Sequence, residues 1–304
     1  MSVLFAFPGQ GAQRAGMLHC LPEHSSVAQT LKQAGEVLAV NPLTLDSVEA
    51  LQSTRAVQLC LLIAGVAATR LLAASGWRPA MVAGLSIGAW PAAVAAQVVG
   101  FDDALRLVAL RGELMQTAFP MGYGMLAVTG LNQMRLEGLI AAIHCAATPL
   151  YLANLNGDVQ FVAAGHGNGL AKLETAAKAA GARACRRLEL GVPSHCPLLE
   201  PAAQELRAAI ARVAICRPAV PYLSVSRARL LFDAEALADD LACNMARQQR
   251  WTDAARHAWE RGMRTLLELP PGRVLGELSR ETFRDGKVMA CEAMDLSALS
   301  PAYR

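Results

Sequence analysis

Between Arg78 and Asp102 the chain carries no charged side chain. A run that long either crosses a bilayer or lies inside a protein. This one is interrupted by Pro79, Gly84, Ser86, Gly88, Pro91 and Gln97, which suit a turn far better than a span through lipid. We read it as a buried strand over Met81 to Leu85, a tight turn, and a buried helix over Ile87 to Val98. The turn is Gly84-Leu85-Ser86-Ile87-Gly88, a G-x-S-x-G pattern set between strand and helix. That is the layout of a nucleophile elbow, which exposes a serine hydroxyl and aims the next backbone N–H at a reacting oxygen. The alternative is a small-residue turn that merely packs a helix on a sheet.

The rest of the composition fits a large core. The chain has 304 residues, 54% of them hydrophobic and 17% charged, enough for one large domain or one with an insertion. A net charge of +3 with no basic run argues against nucleic acid as a partner. Met1 to Phe7 has no basic leader and runs into Pro8-Gly9-Gln10-Gly11, so it reads as a first strand and not a signal peptide. The eight cysteines are scattered, without C-x-x-C, and no histidine pair has zinc-ligand spacing. They are expected to be reduced, buried thiols of a cytoplasmic protein that binds no metal.

Strand-like and helix-like patterns alternate, which predicts an α/β fold with a mainly parallel sheet. Strands are expected at Val3 to Phe7 and Met81 to Leu85, with helices at Thr54 to Ala74 and Asp102 to Phe119. The texture then changes. Met125 to Thr129, Asn132 to Ile143, Leu150 to Leu155, Phe161 to Ala164, Gly169 to Ala180 and Arg183 to Leu190 read as βαββαβ, a ferredoxin-like unit. It spans 122–191 and interrupts a large domain made of 1–121 and 192–304. Beyond it a helix from Cys196, a strand at Tyr222 to Ser226, helices over Ala234 to Met245 and Thr252 to Gly262, a strand at Arg264 to Leu269 and a last helix and strand are expected. A cleft between the two units is a natural substrate site.

A serine needs a base to become a nucleophile. Of six histidines, His19 and His24 lie in a polar loop, His144 ends a helix, His166 lies in a turn and His257 sits mid-helix. His195 is pinned in Gly191-Val192-Pro193-Ser194-His195-Cys196-Pro197, where the chain re-enters the large domain. Cys196 is a rival nucleophile with no base of its own. Arg111 lies on an apolar helix face and must be paired, either with Glu113 or another internal carboxylate, or with a substrate carboxylate as a bidentate fork. The glycines of Phe7-Pro8-Gly9-Gln10-Gly11 let backbone approach a ligand, though the loop has no phosphate-loop pattern.

Together these pieces resemble the malonyl-CoA:acyl-carrier-protein transacylase family. "FPGQGAQ" is similar to its FPGQGSQ, "GLSIGAW" to its GHSxGE, "RGELM" to its RGxxM, "NLNGDVQFVAAG" to its small-domain hairpin and "VPSHC" to its histidine loop, in the same order along nearly the whole chain. The resemblance implies an α/β-hydrolase-like large domain with an inserted ferredoxin-like small domain. It implies Ser86 as nucleophile, His195 as base, the N–H groups of Gln10 and Ile87 as oxyanion hole, and Arg111 as carboxylate clamp. A backbone carbonyl near Asn244 would orient His195. The substrate would be malonyl-CoA and the partner an acyl carrier protein bearing a CoA-derived arm, with no permanently bound cofactor. Leu85 and Ala89-Trp90 depart from the family's histidine and glutamate. With "LDSVEALQSTRAVQLCLLIAGVA" they make the chain most similar to the malonyl transferase subunit of bacterial malonate decarboxylase. The alternative within the family is the transacylase of fatty-acid or polyketide synthesis. Outside it stand a serine hydrolase using His257 and a non-catalytic binding subunit. An acidic carrier would meet a basic rim, with Arg183, Arg186, Arg187, Arg247 and Arg250 as candidates.

Overall fold

The computed structural model describes residues 2–119, 121–188 and 191–293. The first part of the chain forms β1 (Val3–Phe7), α1 (Ser25–Leu38), α2 (Thr54–Ala74), β2 (Met81–Gly84), α3 (Ala89–Ala95) and α4 (Phe101–Ala118). The middle forms β3 (Tyr123–Thr129), α5 (Gln133–Ile143), β4 (Leu150–Gly157), β5 (Gln160–His166), α6 (Gly167–Ala179) and β6 (Ala184–Arg187). The last part forms α7 (Glu200–Ile210), β7 (Tyr222–Ser224), β8 (Arg229–Leu231), α8 (Ala234–Cys243), β9 (Gln249–Arg250), α9 (Trp251–Glu260), β10 (Thr265–Glu268), α10 (Val274–Ser279) and β11 (Lys287–Ala290).

Two sheets result. The larger runs β11-β10-β1-β2-β7-β8, parallel throughout except for the antiparallel β7–β8 pair. Its strands are buried on both faces, which is why β1 and β2 are apolar without alternation. Phe5 and Phe7 pack on one side with Leu59, Leu62 and Val108. Leu4 and Ala6 pack on the other with Trp251, Leu275 and Phe283. α2 is apolar on nearly every side and sits among α1, α3 and α4. Among the described residues it is the one helix long and apolar enough to cross a membrane, and most of it is buried within the protein.

The smaller sheet runs β6-β3-β5-β4-β9. β6, β3, β5 and β4 are antiparallel neighbours, with α5 and α6 supplying Leu136, Leu170 and Leu173 to one core. This is the ferredoxin-like order. The parallel strand β9 comes from outside the 122–191 range and extends the sheet along β4.

Several elements differ from expectation. The helix expected over Ile87 to Val98 starts as a 3-10 turn at Ser86–Gly88 and ends at Ala95, because Gln97 takes a left-handed φ of 60°. The strand at Tyr222 to Ser226 stops at Ser224 and turns back as β8. α8 stops at Cys243, followed by a 3-10 turn at Asn244–Ala246. The strand expected over Arg183 to Leu190 is described as Ala184–Arg187, and residues 189–190 lie outside the described residues. All eight cysteines are free, but only Cys60, Cys196, Cys243 and Cys291 are buried. Cys20, Cys145 and Cys216 are exposed, because they lie in turns and connections where alanine neighbours do not report a packed face.

Candidate active site

The elbow is built by close backbone approach. A Cβ on Gly84 would run into the backbone of Gly88, and a Cβ on Gly88 into the carbonyl oxygen of Phe7. Both glycines of the motif are therefore required. Between them Ser86 takes a φ of 56°, a left-handed conformation that costs a serine roughly 1–3 kcal/mol. Two amide side chains hold it there. The Asn244 Nδ2 donates to the Ser86 carbonyl at 3.4 Å, and the Ser86 N–H donates to Gln249 Oε1 at 3.4 Å. The loop after β1 lies on the elbow as well, since a Cβ on Gly9 would stand 2.9 Å from the Leu85 carbonyl oxygen. This places the partly exposed Gln10 and the buried Ile87 on the two segments that meet there.

His195 is also left-handed, with φ 65°. Its N–H donates to the Met245 carbonyl at 2.7 Å, and its ring Nδ1 meets the Asn244 carbonyl at 2.8 Å. A carbonyl can only accept, so Nδ1 carries the proton and Nε2 is the basic nitrogen. Burial, with the Arg111 charge adding to it, pushes the imidazole down to about 4 against the hydrogen bond to Asn244. The ring is therefore neutral, and able to take a proton, at neutral pH.

Arg111 joins the group from α4. Gly112, whose Cβ would come within 2.5 Å of the Arg55 Cα, lets α4 settle on α2. That contact brings Arg111 Nη1 to Gln58 Oε1 at 2.6 Å. Nη2 donates to Asn244 Oδ1 at 3.1 Å and to Ser86 Oγ at 3.3 Å. The side chain is wholly buried, its Nε has no partner among the described residues, and burial lowers its pKa to about 9. The alternative pairing with Glu113 or another internal carboxylate is not made: among the described residues Arg111 meets amides and a hydroxyl. A neutral amide disperses little of a full charge, so the electrostatics of this site would favour an anion within reach of the guanidinium.

Asn244 is the hub. Its carbonyl holds His195, its Oδ1 holds Arg111, and its Nδ2 holds Ser86. Ser86, His195 and Arg111 thus converge, although they lie far apart in sequence. The other nucleophile and base candidates do not join them. Cys196 is buried, donates to the Pro193 carbonyl at 3.2 Å, and burial pushes its thiol up to about 12. His19 bonds Asp46, His24 caps α1, His144 bonds the Leu150 backbone and His166 caps α6. His257 has a buried Nε2 with no partner among the described residues and, unlike His195, makes no bond to Asn244, which also holds Ser86 and Arg111. Three contributions went unread in the sequence: Gln58, Gln249 and the Asn244 side chain. Gln58 left a signal, as a lone polar residue inside the apolar run of α2.

The rim arginines are partly neutralised. Arg250 pairs with Asp253 and Arg187 with Glu174. Arg247 shares Asp239 with Arg207 and Arg227.

Comparison with known proteins places this geometry. The acyl transferase domain model matches residues 4–299. The malonyl CoA-acyl carrier protein transacylase of Escherichia coli is 35% identical over 284 residues, covering 91% of both chains. The solved transacylase of that name from Coxiella burnetii superposes with a TM-score of 0.91 at 33% identity, covering 95% of this chain and 93% of that one. A malonyl-transacylase solved in complex with a type II polyketide acyl-carrier protein superposes at 0.89 with 33% identity, covering 95% of each chain.

Proposed function

The chain belongs to the acyl transferase domain family, and on that premise we propose that it moves a malonyl group from malonyl-CoA to the thiol of an acyl carrier protein through a malonyl-Ser86 intermediate. One observation carries the reading. Arg111 is a buried charge without a carboxylate partner among the described residues, and it donates to the Ser86 hydroxyl. A malonyl group bound to Ser86 ends in the free carboxylate that this guanidinium lacks. An acetyl group does not.

The proposed reaction runs in two acyl transfers. Ser86 Oγ attacks the thioester carbonyl while His195 Nε2 takes its proton. The oxyanion is met by the N–H groups of Gln10 and Ile87. The carbon–sulfur bond breaks, and His195 returns the proton to the CoA sulfur. The carrier thiol then gives its proton to His195 and attacks the acyl-serine, which restores Ser86. Malonyl-CoA and the carrier's CoA-derived arm are substrates. Retention of the acyl group against water comes from the Arg111 clamp and from a cleft the arm fills. We place this reaction in the cytoplasm, where eight free thiols are at home.

The relatives named above are malonyl CoA-acyl carrier protein transacylases, which favours that general activity over the narrower role in malonate decarboxylase. The narrower role rests on Leu85, Ala89 and Trp90 together with the stretch from Leu45 to Ala67. Leu85 is partly buried at the elbow and packs with the β2 face of the core, while Ala89 and Trp90 are buried behind it. Exposure to malonyl-CoA followed by intact-protein mass spectrometry tests the proposal. One malonyl adduct on Ser86 in the wild type and none in Ser86→Ala supports it. Rapid free malonate with no adduct makes the protein a hydrolase, and no reaction makes it a binding subunit. Transfer to a fatty-acid carrier and to a decarboxylase carrier, measured side by side, separates the two roles.

A further inference from the structure

The segment from Asn244 to Arg250 ties the two sheets together. β9 pairs with β4, with Asn154 opposite Gln249 and Leu155 opposite Arg250. The Gln248 Nε2 adds a bond to the Leu152 carbonyl at 2.9 Å. On the other side, the Arg250 N–H donates to the carbonyl of Val225, just beyond β7, at 3.1 Å. The segment therefore belongs to the small sheet and is bonded to the large one.

From this joint one side chain reaches the serine. Gln249 is 1% exposed. Its Oε1 accepts from the Ser86 N–H at 3.4 Å. Its Nε2 donates to the Asn244 carbonyl at 3.1 Å and to the Arg247 carbonyl at 2.9 Å. The Asn244 carbonyl is the atom that also holds His195 Nδ1. An amide suits this place because one end accepts and the other donates. The ring closes through Asn244 Nδ2 and the Ser86 carbonyl, so both backbone groups of the left-handed serine end on this segment.

We infer that Gln249 is a positioning residue that fixes the Ser86 backbone and the carbonyl orienting His195 in one frame, and couples that frame to the strand shared with the small sheet. It acts through Ser86 and Asn244 and touches no reacting atom. The inference rests on the reading of Ser86 and His195 as nucleophile and base. A shift of the small sheet against the large one is then felt first at the Ser86 N–H and at His195 Nδ1.

The test uses the full chain with Gln249→Leu and Gln249→Glu. Two readouts are compared: malonyl-CoA acylation, and labelling of Ser86 by a serine-directed fluorophosphonate, which needs nucleophile and base but no carboxylate clamp. Leucine keeps the volume and removes the bridge. Both rates should fall ~10- to 100-fold, as for a misplacement of about 1 Å, with KM for malonyl-CoA little changed. Glutamate keeps the acceptor for Ser86 but can donate, through its single O–H, to one of the two carbonyls only when protonated. Buried against those oxygens, it should titrate above the ordinary carboxylate range. Its activity relative to wild type should therefore climb as pH falls from about 8 to about 6, while the leucine ratio stays level across the same range. A folded leucine variant within twofold of wild type overturns the inference. So does a level glutamate ratio, and so does failure of both variants to fold, which would make Gln249 a residue of the fold alone. A wild type that takes the fluorophosphonate but no malonyl group refutes the substrate reading and leaves the Gln249 comparison intact.

Discussion

Two arginine clusters share the end of α8, and they are built in opposite ways. At Asn244 a single guanidinium, Arg111, is sealed from water and touches two amides and a hydroxyl. At Asp239 one carboxylate holds three guanidiniums, and Arg207, Arg227 and Arg247 keep 50%, 27% and 36% of their side-chain surface exposed. Water stabilises the surplus charge of the outer cluster, so that cluster needs no ligand to persist. The inner one is closed to bulk solvent and has no acidic partner among the described residues. What sets Arg111 apart is its burial beside neutral partners, and not the number of charges gathered.

The strongest way to break the inner cluster is to remove its base. His195→Ala should lower the rate of Ser86 acylation by about 100- to 10,000-fold, as loss of general acid–base catalysis does. Stopped-flow measurement of CoA release decides it, and a change of only a few-fold would hand the role to another residue, His257 first. Next comes the clamp. Arg111→Ala should cut the ratio of kcat/KM for malonyl-CoA over acetyl-CoA by roughly 10- to 100-fold, since a bond to a charged group is worth ~1.5–3 kcal/mol. An unchanged ratio would make Arg111 structural, and the contrast between the clusters would lose its meaning.

A pH profile sharpens the same contrast without mutation. As the proposed base, His195 would act in its neutral form, and burial lowers its pKa to about 4 from the ordinary 6.5. Acylation should therefore hold steady on descending through 6.5 and fall only as pH approaches 4. Arg111 holds an anion only while protonated, and its pKa is lowered to about 9. Malonyl preference should decline as pH rises through 9, with acetyl turnover unaffected. A limb at 6.5 would show an imidazole open to solvent.

The outer cluster should respond least. Charge reversal of Arg247 and Arg250 to glutamate should slow transfer to a carrier protein by a few-fold, through a lower encounter rate. Acylation by malonyl-CoA should hardly change, and the defect should shrink with a small pantetheine acceptor. Equal loss with both acceptors would place these arginines in the fold or at the CoA site. Arg207→Ala, which leaves Asp239 two partners, should shift stability by less than ~1 kcal/mol in thermal unfolding.

How far the inner cluster could be read from the sequence depended on what held each member. Ser86 was legible because its constraint is local: Gly84 and Gly88 are demanded by backbone contacts within one turn. His195 was legible through the prolines and glycine that pin its loop. The βαββαβ order of the small sheet was legible because each element is long enough to show its period. Gln249 was not, since β9 has two residues and no period, and its partners lie at Ser86 and Asn244. Nor was the neutral company of Arg111, because Gln58 reaches it only after Gly112 has let α4 close on α2. α1 was passed over although Val27, Thr30 and Ala34 bury one face of it. β8, three residues long, gave no signal apart from β7.

The bare guanidinium of Arg111 also bears on how the protein ages between turnovers. A charge buried without an acidic partner among the described residues weakens the folded state. On the proposed function, a bound malonyl carboxylate would offset that cost, so the acylated protein should resist heat and proteases better than the free one, which paired thermal-unfolding curves would check.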